Sequence, residues 1–230
     1  MHPLAALRLL LAIAYPLLAH WASVDGSGVV ALAALADLAV IVLLAPLAHP
    51  RGWAWALLAL VIAGLWALHD SAVPALLLLA PPMVFTALLS WWFGRSLRTG
   101  RVPLISRIVA GLEGCGPAAL KPELKAYTRR LTLLWALLLA GLALANGVLA
   151  LIAVPDGVLA RLGHPPLVTV SQDAWSWFAN LLNYGIVGGF FVGEYLYRKR
   201  RFPDRPYRNF PDFMRRMAAL GPGFWRTLFD

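Results

Sequence analysis

Long apolar runs separated by short polar turns dominate the pattern of this chain. Six of them predict membrane-spanning helices, because about 20 mostly apolar residues are needed to cross a hydrocarbon core about 30 Å thick. Their approximate bounds are 4–21, 29–47, 53–68, 74–93, 131–154 and 174–197. Two polar segments remain, an inner loop over 94–130 and a tail over 198–230. The predicted fold is all-α: a polytopic transmembrane helix bundle of about six spans, forming a single integral membrane domain over residues 1–230.

Composition supports lipid as the environment of these helices. The chain is 60% hydrophobic and only 13% charged, whereas soluble domains carry about a quarter charged residues. The first run contains Arg8 and ends in small residues, so it also fits a secretory signal peptide. As an uncleaved span, however, it supplies the helix that makes the topology consistent.

The placement of positive charge predicts the orientation of the bundle. Seventeen of the twenty Lys and Arg residues lie in the inner loop and the tail, and such blocks flank membrane spans on the cytoplasmic side. Both termini are therefore predicted to be cytoplasmic in an inner membrane. We interpret the formal charge of +9 as a surface that contacts lipid headgroups and not nucleic acid. The predicted membrane-surface basic residues are Arg95, Arg98, Arg101, Arg129, Arg130, Arg198, Lys199, Arg200 and Arg201.

The two cytoplasmic segments contain one amphipathic helix each. In the inner loop the apolar residues that share one helical face are Leu104, Ile105, Ile108, Val109 and Leu112. In the tail a helix opened by Pro211 places Phe213, Met214 and Met217 on its apolar side. We expect these helices to lie flat on the membrane with their apolar faces toward lipid, bracing the bundle. Docking of a cytoplasmic partner or anionic lipid is the alternative.

Polar residues inside the spans predict one interior layer. Counted from the outer ends of the spans, Tyr15, Asp37, Asn146, Asn180 and Asn183 lie at a common depth of roughly 9 to 13 Å. Polar groups in hydrocarbon seek one another, so we expect these side chains to meet inside the bundle, around Asp37. Structural pairing and a proton- or ligand-binding role remain open for the Asp37 carboxyl.

The sixth span has two contrasting faces. Gly185, Gly189 and Gly193 recur every four residues and predict a flat surface on which another helix packs closely. Polar side chains lie on the opposite face: Ser176, Asn180, Asn183 and Glu194. Glu194 is one turn from Arg198, which predicts an ion pair at the cytoplasmic end.

No strong enzyme signature is present in the sequence. The phosphate-binding loop, the HExxH and GxSxG motifs and the dinucleotide fingerprint are absent, and Cys115 is the lone cysteine. No catalytic, cofactor-binding or metal-binding residue is therefore predicted. Three histidines, His20, His69 and His164, map to the outer face and are interpreted as interfacial caps, with zinc binding or proton relay as the alternative.

Three stretches resemble a known family: FGRSLRTGRVPLISRI (Phe93–Ile108), LKAYTRRLTLLWAL (Leu124–Leu137) and FVGEYLYRKRRFPD (Phe191–Asp204). They are similar to bacterial polytopic membrane proteins whose genes accompany enzymes for aryl-polyene or xanthomonadin-type pigments and lipids. The resemblance covers about half of the chain and transfers no catalytic residue.

The resemblance implies an accessory role beside acyl carrier, ketosynthase and acyltransferase enzymes. The expected function is a nonenzymatic component of the bacterial inner membrane, which scaffolds or helps move a lipid-linked polyene or acyl product. The expected partners are membrane lipids, cytoplasmic enzymes of acyl-chain synthesis and other membrane proteins. A small transporter or flippase subunit and an intramembrane acyl- or lipid-modifying enzyme are the alternatives.

Overall fold

The structure is a computed structural model that describes residues 3–25, 28–49, 51–71, 73–164, 166–203 and 206–229. Most of the described chain is helical. The long helices are α1 (Pro3–Asp25), α2 (Gly28–Ala48), α3 (Gly52–Ala67), α4 (Val73–Ser96) and α6 (Pro122–Ile152), with α5 (Leu104–Leu112) in the inner loop. The sixth apolar run forms α8 (Gln172–Trp177), a π-helical segment (Phe178–Leu182) and α9 (Asn183–Arg201). The tail forms α10 (Phe210–Ala219) and α11 (Gly221–Phe229).

Minor elements complete the connections. A 3-10 turn (Pro117–Ala119) precedes α6, and the short helix α7 (Val158–Arg161) follows it. Two-residue strands β1 (Ala153–Val154) and β2 (Val170–Ser171) pair in parallel, with Ala153 opposite Val170. The predicted all-α helical-bundle class is confirmed.

In the described residues, four helices are long and apolar enough to cross a membrane. They are α1, α2, α4 and α6, while α3 is apolar but has only 16 residues. Large apolar side chains on these helices are exposed, for example Leu10, Val42, Leu60 and Leu144, as expected of surfaces that contact lipid. These features are those of a membrane protein. The number of six crossings remains a prediction.

The described chain divides into two compact units. The first contains residues 1–84 and 143–187, and the second contains residues 85–142 and 188–230. Seventeen of the twenty Lys and Arg residues belong to the second unit. The single domain over residues 1–230 remains a prediction, and each unit is described separately below.

In the first unit, small side chains allow α1 and α2 to pack closely. Ala19 and Ala22 of α1 are buried in one cluster with Ala31 and Ala34 of α2. Small residues let helix backbones approach each other, and such packing drives association where lipid offers no hydrophobic gain. α1 also contacts α8 and the π-helical segment.

In the second unit, hydroxyl groups hold the start of α5. The Leu104 N–H donates to Ser96 Oγ (3.0 Å) and the Ile105 N–H donates to Thr132 Oγ1 (3.3 Å). Pro103, at the N-cap, provides no side-chain cap, so these hydroxyls satisfy first-turn amides that have no intrahelical partner. Farther along, Ser106 and Thr128 join α5 to α6 through a hydroxyl pair 2.6 Å apart.

Part of the apolar face of α5 and of α10 is buried in protein. Leu112 of α5 clusters with Tyr195 of α9 and with Tyr207 and Phe213 of the tail, and Met217 packs against them. The expectation that these faces point to lipid is therefore wrong for Leu112, Phe213 and Met217. A hydrophobic stripe predicts that a helix must cover its apolar side but does not say whether lipid or protein covers it.

Gly28, at the start of α2, tests the close packing of the first unit. A Cβ at this position would lie 2.8 Å from the carbonyl oxygen of His69, so we expect Gly28→Ala to destabilise the protein by about 1–3 kcal/mol. In the control Gly189→Ala, the new Cβ meets no described atom within 4 Å. Thermal unfolding in detergent should therefore give a lower midpoint for Gly28→Ala only. Equal midpoints for the two variants would contradict this packing.

Candidate functional site

All five side chains of the predicted polar layer are buried, and all belong to the first unit. The exposed fraction is 7% for Tyr15, 9% for Asp37, 1% for Asn146, 2% for Asn180 and 6% for Asn183. Polar groups in a membrane are costly unless they face the protein interior, and the direction of these side chains agrees with that rule. Their membership of one continuous layer remains a prediction.

Tyr15 of α1 has two titratable neighbours in the first unit. Asp37 of α2 and Tyr184 of α9 lie close enough for their charges to affect its hydroxyl. The Tyr15 hydroxyl and Asp37 Oδ2 are buried and make no hydrogen bond within the described residues. No ion pair joins Asp37 to a cation in that part of the chain. Because a buried carboxyl normally has a counter-ion, Asp37 is a candidate binding group.

A hydrogen-bonded chain connects α1 with α8 and the π-helical segment. His20 Nδ1 lies 2.9 Å from Ser176 Oγ, and Asn180 Nδ2 donates to the same oxygen at 3.1 Å. The His20 ring also meets the Trp177 ring edge-on at 5.1 Å. The Ser176 side chain is fully buried, so this serine–histidine pair links helices and does not present a nucleophile.

The first unit has a cavity of about 360 Å³ at the predicted outer end. Its apolar lining includes Ala22, Ala31 and Leu78, which belong to the same buried cluster as Tyr15. Its polar lining includes Asp156, which pairs with Arg161 at 2.7 Å. Within the described ranges no cluster of three potential metal ligands occurs. The cavity therefore offers both polar and apolar surface, without a metal-ligand cluster among the described residues.

The histidines at the predicted outer end have separate local roles. His69 Nδ1 lies 2.7 Å from the Trp66 carbonyl oxygen, and His69 Nε2 lies 3.1 Å from Asp70 Oδ1. His69 thus caps the end of α3, as the sequence predicts, whereas His20 serves the helix contact described above. His164 is exposed after α7.

Within the described chain no helix packs on the predicted glycine surface, and its role as a packing face remains a prediction. Gly185, Gly189 and Gly193 are exposed, and a Cβ built on any of them meets no described atom within 4 Å. The physical reason is that the opposite, polar face of the same run is buried, including Ser176 and Asn180. A helix that turns its polar stripe inward must turn its glycine stripe outward.

A buried ion pair is the centre of the second unit. Arg198 Nε lies 3.1 Å from Glu194 Oε1, which confirms the ion pair predicted from their spacing. The Tyr127 hydroxyl donates to Glu194 Oε1 at 2.9 Å. The Arg198 guanidinium lies over the Phe213 ring at 4.9 Å and over the Tyr207 ring at 5.5 Å. Only 7% of Arg198 is exposed, so this residue is not a membrane-surface cation as predicted.

The other predicted surface cations lie nearer the surface. Arg95 is half-buried beneath the Trp91 ring, with its guanidinium 5.0 Å from the ring centroid. The remaining members of the set are exposed: Arg98, Arg101, Arg129, Arg130, Lys199, Arg200 and Arg201.

A cavity of about 630 Å³ borders Arg198 in the second unit. Its apolar wall includes Leu112, Leu120 and Leu124, and its basic residues besides Arg198 are Lys121 and Arg201. Sequence reasoning did not identify this site. The available signal was the glutamate–arginine pair followed by aromatic residues of the tail, but only the folded tail brings those rings onto the guanidinium.

Comparisons with models of protein families, with curated proteins and with solved structures find no match for this chain.

The first turn of α10 fixes the ring of Phe213 against Arg198. Asn209 Oδ1 accepts the Asp212 N–H at 2.9 Å, and Asp212 Oδ2 accepts the Arg208 N–H at 3.0 Å. This reciprocal arrangement is a form of capping box. The Arg208 hydrogen bond, assisted by Arg216, holds the pKa of Asp212 below its ordinary value.

This lowered pKa predicts how tail docking depends on pH. The stabilisation by Asp212 is complete above the unfolded pKa of about 4 and is lost as the pH falls through the lower folded value. We therefore expect amide exchange in Phe210–Ala219, corrected for its intrinsic pH dependence, to stay slow at pH 5 and to rise below about pH 4. Asp212→Asn should remove this acid-induced step. An unchanged step in the variant would contradict the role of the carboxylate.

Proposed function

We propose that the chain is a nonenzymatic accessory protein of the bacterial inner membrane that binds a lipid-linked aryl-polyene-like or acyl product during its assembly or movement. The observation that carries this proposal is the cavity beside Arg198, where an apolar wall and basic side chains meet. Its volume of about 630 Å³ lies in the range of small-molecule sites, which is about 300–1,000 Å³. The resemblance of Phe191–Asp204 to pigment-associated membrane proteins supports the choice of product.

Orientation is part of the proposal. If both termini lie in the cytoplasm, the second unit is on the cytoplasmic side. Its seventeen basic residues then face the anionic inner leaflet, and its cavity is accessible to the enzymes that make acyl chains. A product leaving such an enzyme would reach the cavity from the cytoplasmic side.

Labelling of Cys115 tests this orientation. Cys115 is half-buried at the cavity wall, so a small membrane-impermeant maleimide should label it only after spheroplasts are permeabilised. The control is Asp70→Cys in a Cys115→Ser background, because Asp70 is exposed at the predicted outer end. This variant should react in intact spheroplasts. Labelling of Cys115 from outside would reverse the topology.

Co-purification of the product tests the function. The chain purified from its native membrane in a nonionic detergent should carry acyl or polyene species that mass spectrometry detects. Ala119→Trp, which fills space at the cavity lining, should lose them, whereas Ala118→Trp on the neighbouring exposed residue should not. No enrichment over an unrelated membrane protein, or equal amounts in the two variants, would contradict the proposal.

A transporter or flippase subunit is the second candidate. The observation that favours it is the Asp37 carboxyl, which is buried in α2 with an oxygen that makes no hydrogen bond within the described residues. Asp37→Asn keeps the size of the side chain but removes its ionisation. If transport is the role, cells with this variant should make the product normally and show less of it on the surface. A folded variant with normal surface product would leave Asp37 a packing role.

A further inference from the structure

The Arg198 guanidinium is held rigidly at the wall of the larger cavity. Glu194 fixes its Nε side at 3.1 Å, and the Tyr127 hydroxyl fixes Glu194 in turn at 2.9 Å. The rings of Phe213 and Tyr207 lie against its plane. A planar guanidinium stacked on rings and paired at one edge presents its other N–H groups in a fixed direction.

Those N–H groups make no hydrogen bond within the described residues. The Nε–H is not aligned with the Glu194 carboxylate well enough for a hydrogen bond, although the two groups form an ion pair. Neither Nη group donates to an acceptor in the described part of the chain, and Arg198 borders the cavity. A guanidinium has five N–H donors, so the Nη groups of Arg198 remain able to donate to an occupant of the cavity.

Carboxylates offset the cations of this cavity to different degrees. Five charged residues line it: Lys121, Arg198 and Arg201 are cationic, and Glu113 and Glu123 are anionic. Arg201 lies 3.8 Å from Glu123, where the two charges partly offset each other. Lys121 forms no ion pair within the described residues. Glu194 offsets the charge of Arg198, so Lys121 is the lining cation that no carboxylate within the described residues offsets.

The rest of the lining is apolar. Leu112, Leu120 and Leu124 line the cavity together with Phe202. Such a wall has no hydrogen bonds to offer a free inorganic anion, but it can cover the hydrocarbon part of an amphiphile, at about 0.8 kcal/mol per buried methylene in transfer terms. The site thus combines a hydrogen-bond fork with a hydrocarbon surface.

We propose that this cavity binds the oxyanion head, carboxylate or phosphate, of a single-chain amphiphile, with Arg198 and Lys121 as the anion ligands and the leucine wall as the site of the chain. The guanidinium fork matches two oxygens of either group. Glu194 and Tyr127 are positioning residues, because they act through Arg198. This inference rests on the proposed function only for the identity of the natural ligand.

The test uses the full chain in phosphatidylcholine nanodiscs and three radiolabelled probes of equal length: dodecyl phosphate, dodecanoate and dodecanol. Retained probe is corrected for empty nanodiscs. We expect both anionic probes to bind and dodecanol not to bind above background, and inorganic phosphate to compete only weakly. Binding of dodecanol as tight as that of the anions, or of inorganic phosphate as tight as dodecyl phosphate, would overturn the proposal.

Variants locate the site. Lys121→Ala should weaken binding of the anionic probes about tenfold, the order expected for one charge-assisted hydrogen bond. The matched control is Arg130→Ala, because Arg130 is also exposed and cationic but does not line the cavity. Equal affinities for the two variants would overturn the proposal.

Arg198→Lys keeps the charge and removes the fork. Arg198→Lys should lower the affinity for both anionic probes more than Lys121→Ala does, and dodecanol should remain unbound. Unchanged affinity in the folded variant would overturn the assignment of Arg198 as an anion ligand. If this variant does not fold, the comparison of probe affinity between Lys121→Ala and Arg130→Ala tests the proposal. Probe binding without co-purified acyl or polyene species would uphold the anion site and remove only the proposed cellular role.

Discussion

The ion pair between Glu194 and Arg198 is the interaction on which the second unit depends. It links α9 to α6 through Tyr127, and it links α9 to the tail through Phe213, whose ring lies on the guanidinium. Removing one partner of a buried pair leaves an uncompensated charge and costs about 3–5 kcal/mol. One carboxylate and one guanidinium therefore hold three separate stretches of the sequence around a single point.

The first unit also buries polar groups, and only some of them are hydrogen-bonded within the described residues. Alanines bring α1 and α2 together, and Tyr15 of α1 is buried in the same cluster. In the sixth run the π-helical segment contains Asn180, which donates to Ser176. π-helical turns are frequently found at functional sites, and this one carries the hydrogen-bonded chain that starts at His20.

The spacing of polar and apolar residues predicted the helices and the burial of their polar stripes from the sequence. The polar stripe that contains Asn180 and Asn183 is buried, as its spacing indicated, because a helix in lipid turns polar groups inward. The same logic, applied consistently, would have placed Gly189 on the outside. The glycine motif was interpreted as packing from its spacing alone, although spacing says only that a close approach is possible there.

Tertiary context decided what periodicity could not. Leu112 and Phe213 belong to amphipathic helices whose apolar sides were predicted to face lipid. In the structure both side chains are buried in the same cluster. Arg198 was assigned to the membrane surface because it opens a basic run, but the aromatic residues that bury it come from beyond that run. Arg198 and Phe213 lie on different helices, and a periodicity argument applies only within one helix. Periodicity therefore could not predict their contact.

The burial of Arg198 ties the larger cavity to the tail. Tyr207 lines the cavity and also lies over the guanidinium, and Phe213 covers the guanidinium from α10. The wall formed by Leu112 and Leu120 comes from the inner loop. The cavity therefore exists only when the inner loop and the tail are folded together. Because a ligand stabilises the state that binds it, any occupant of the cavity must also favour the docked tail, so recognition and folding of the second unit are thermodynamically linked.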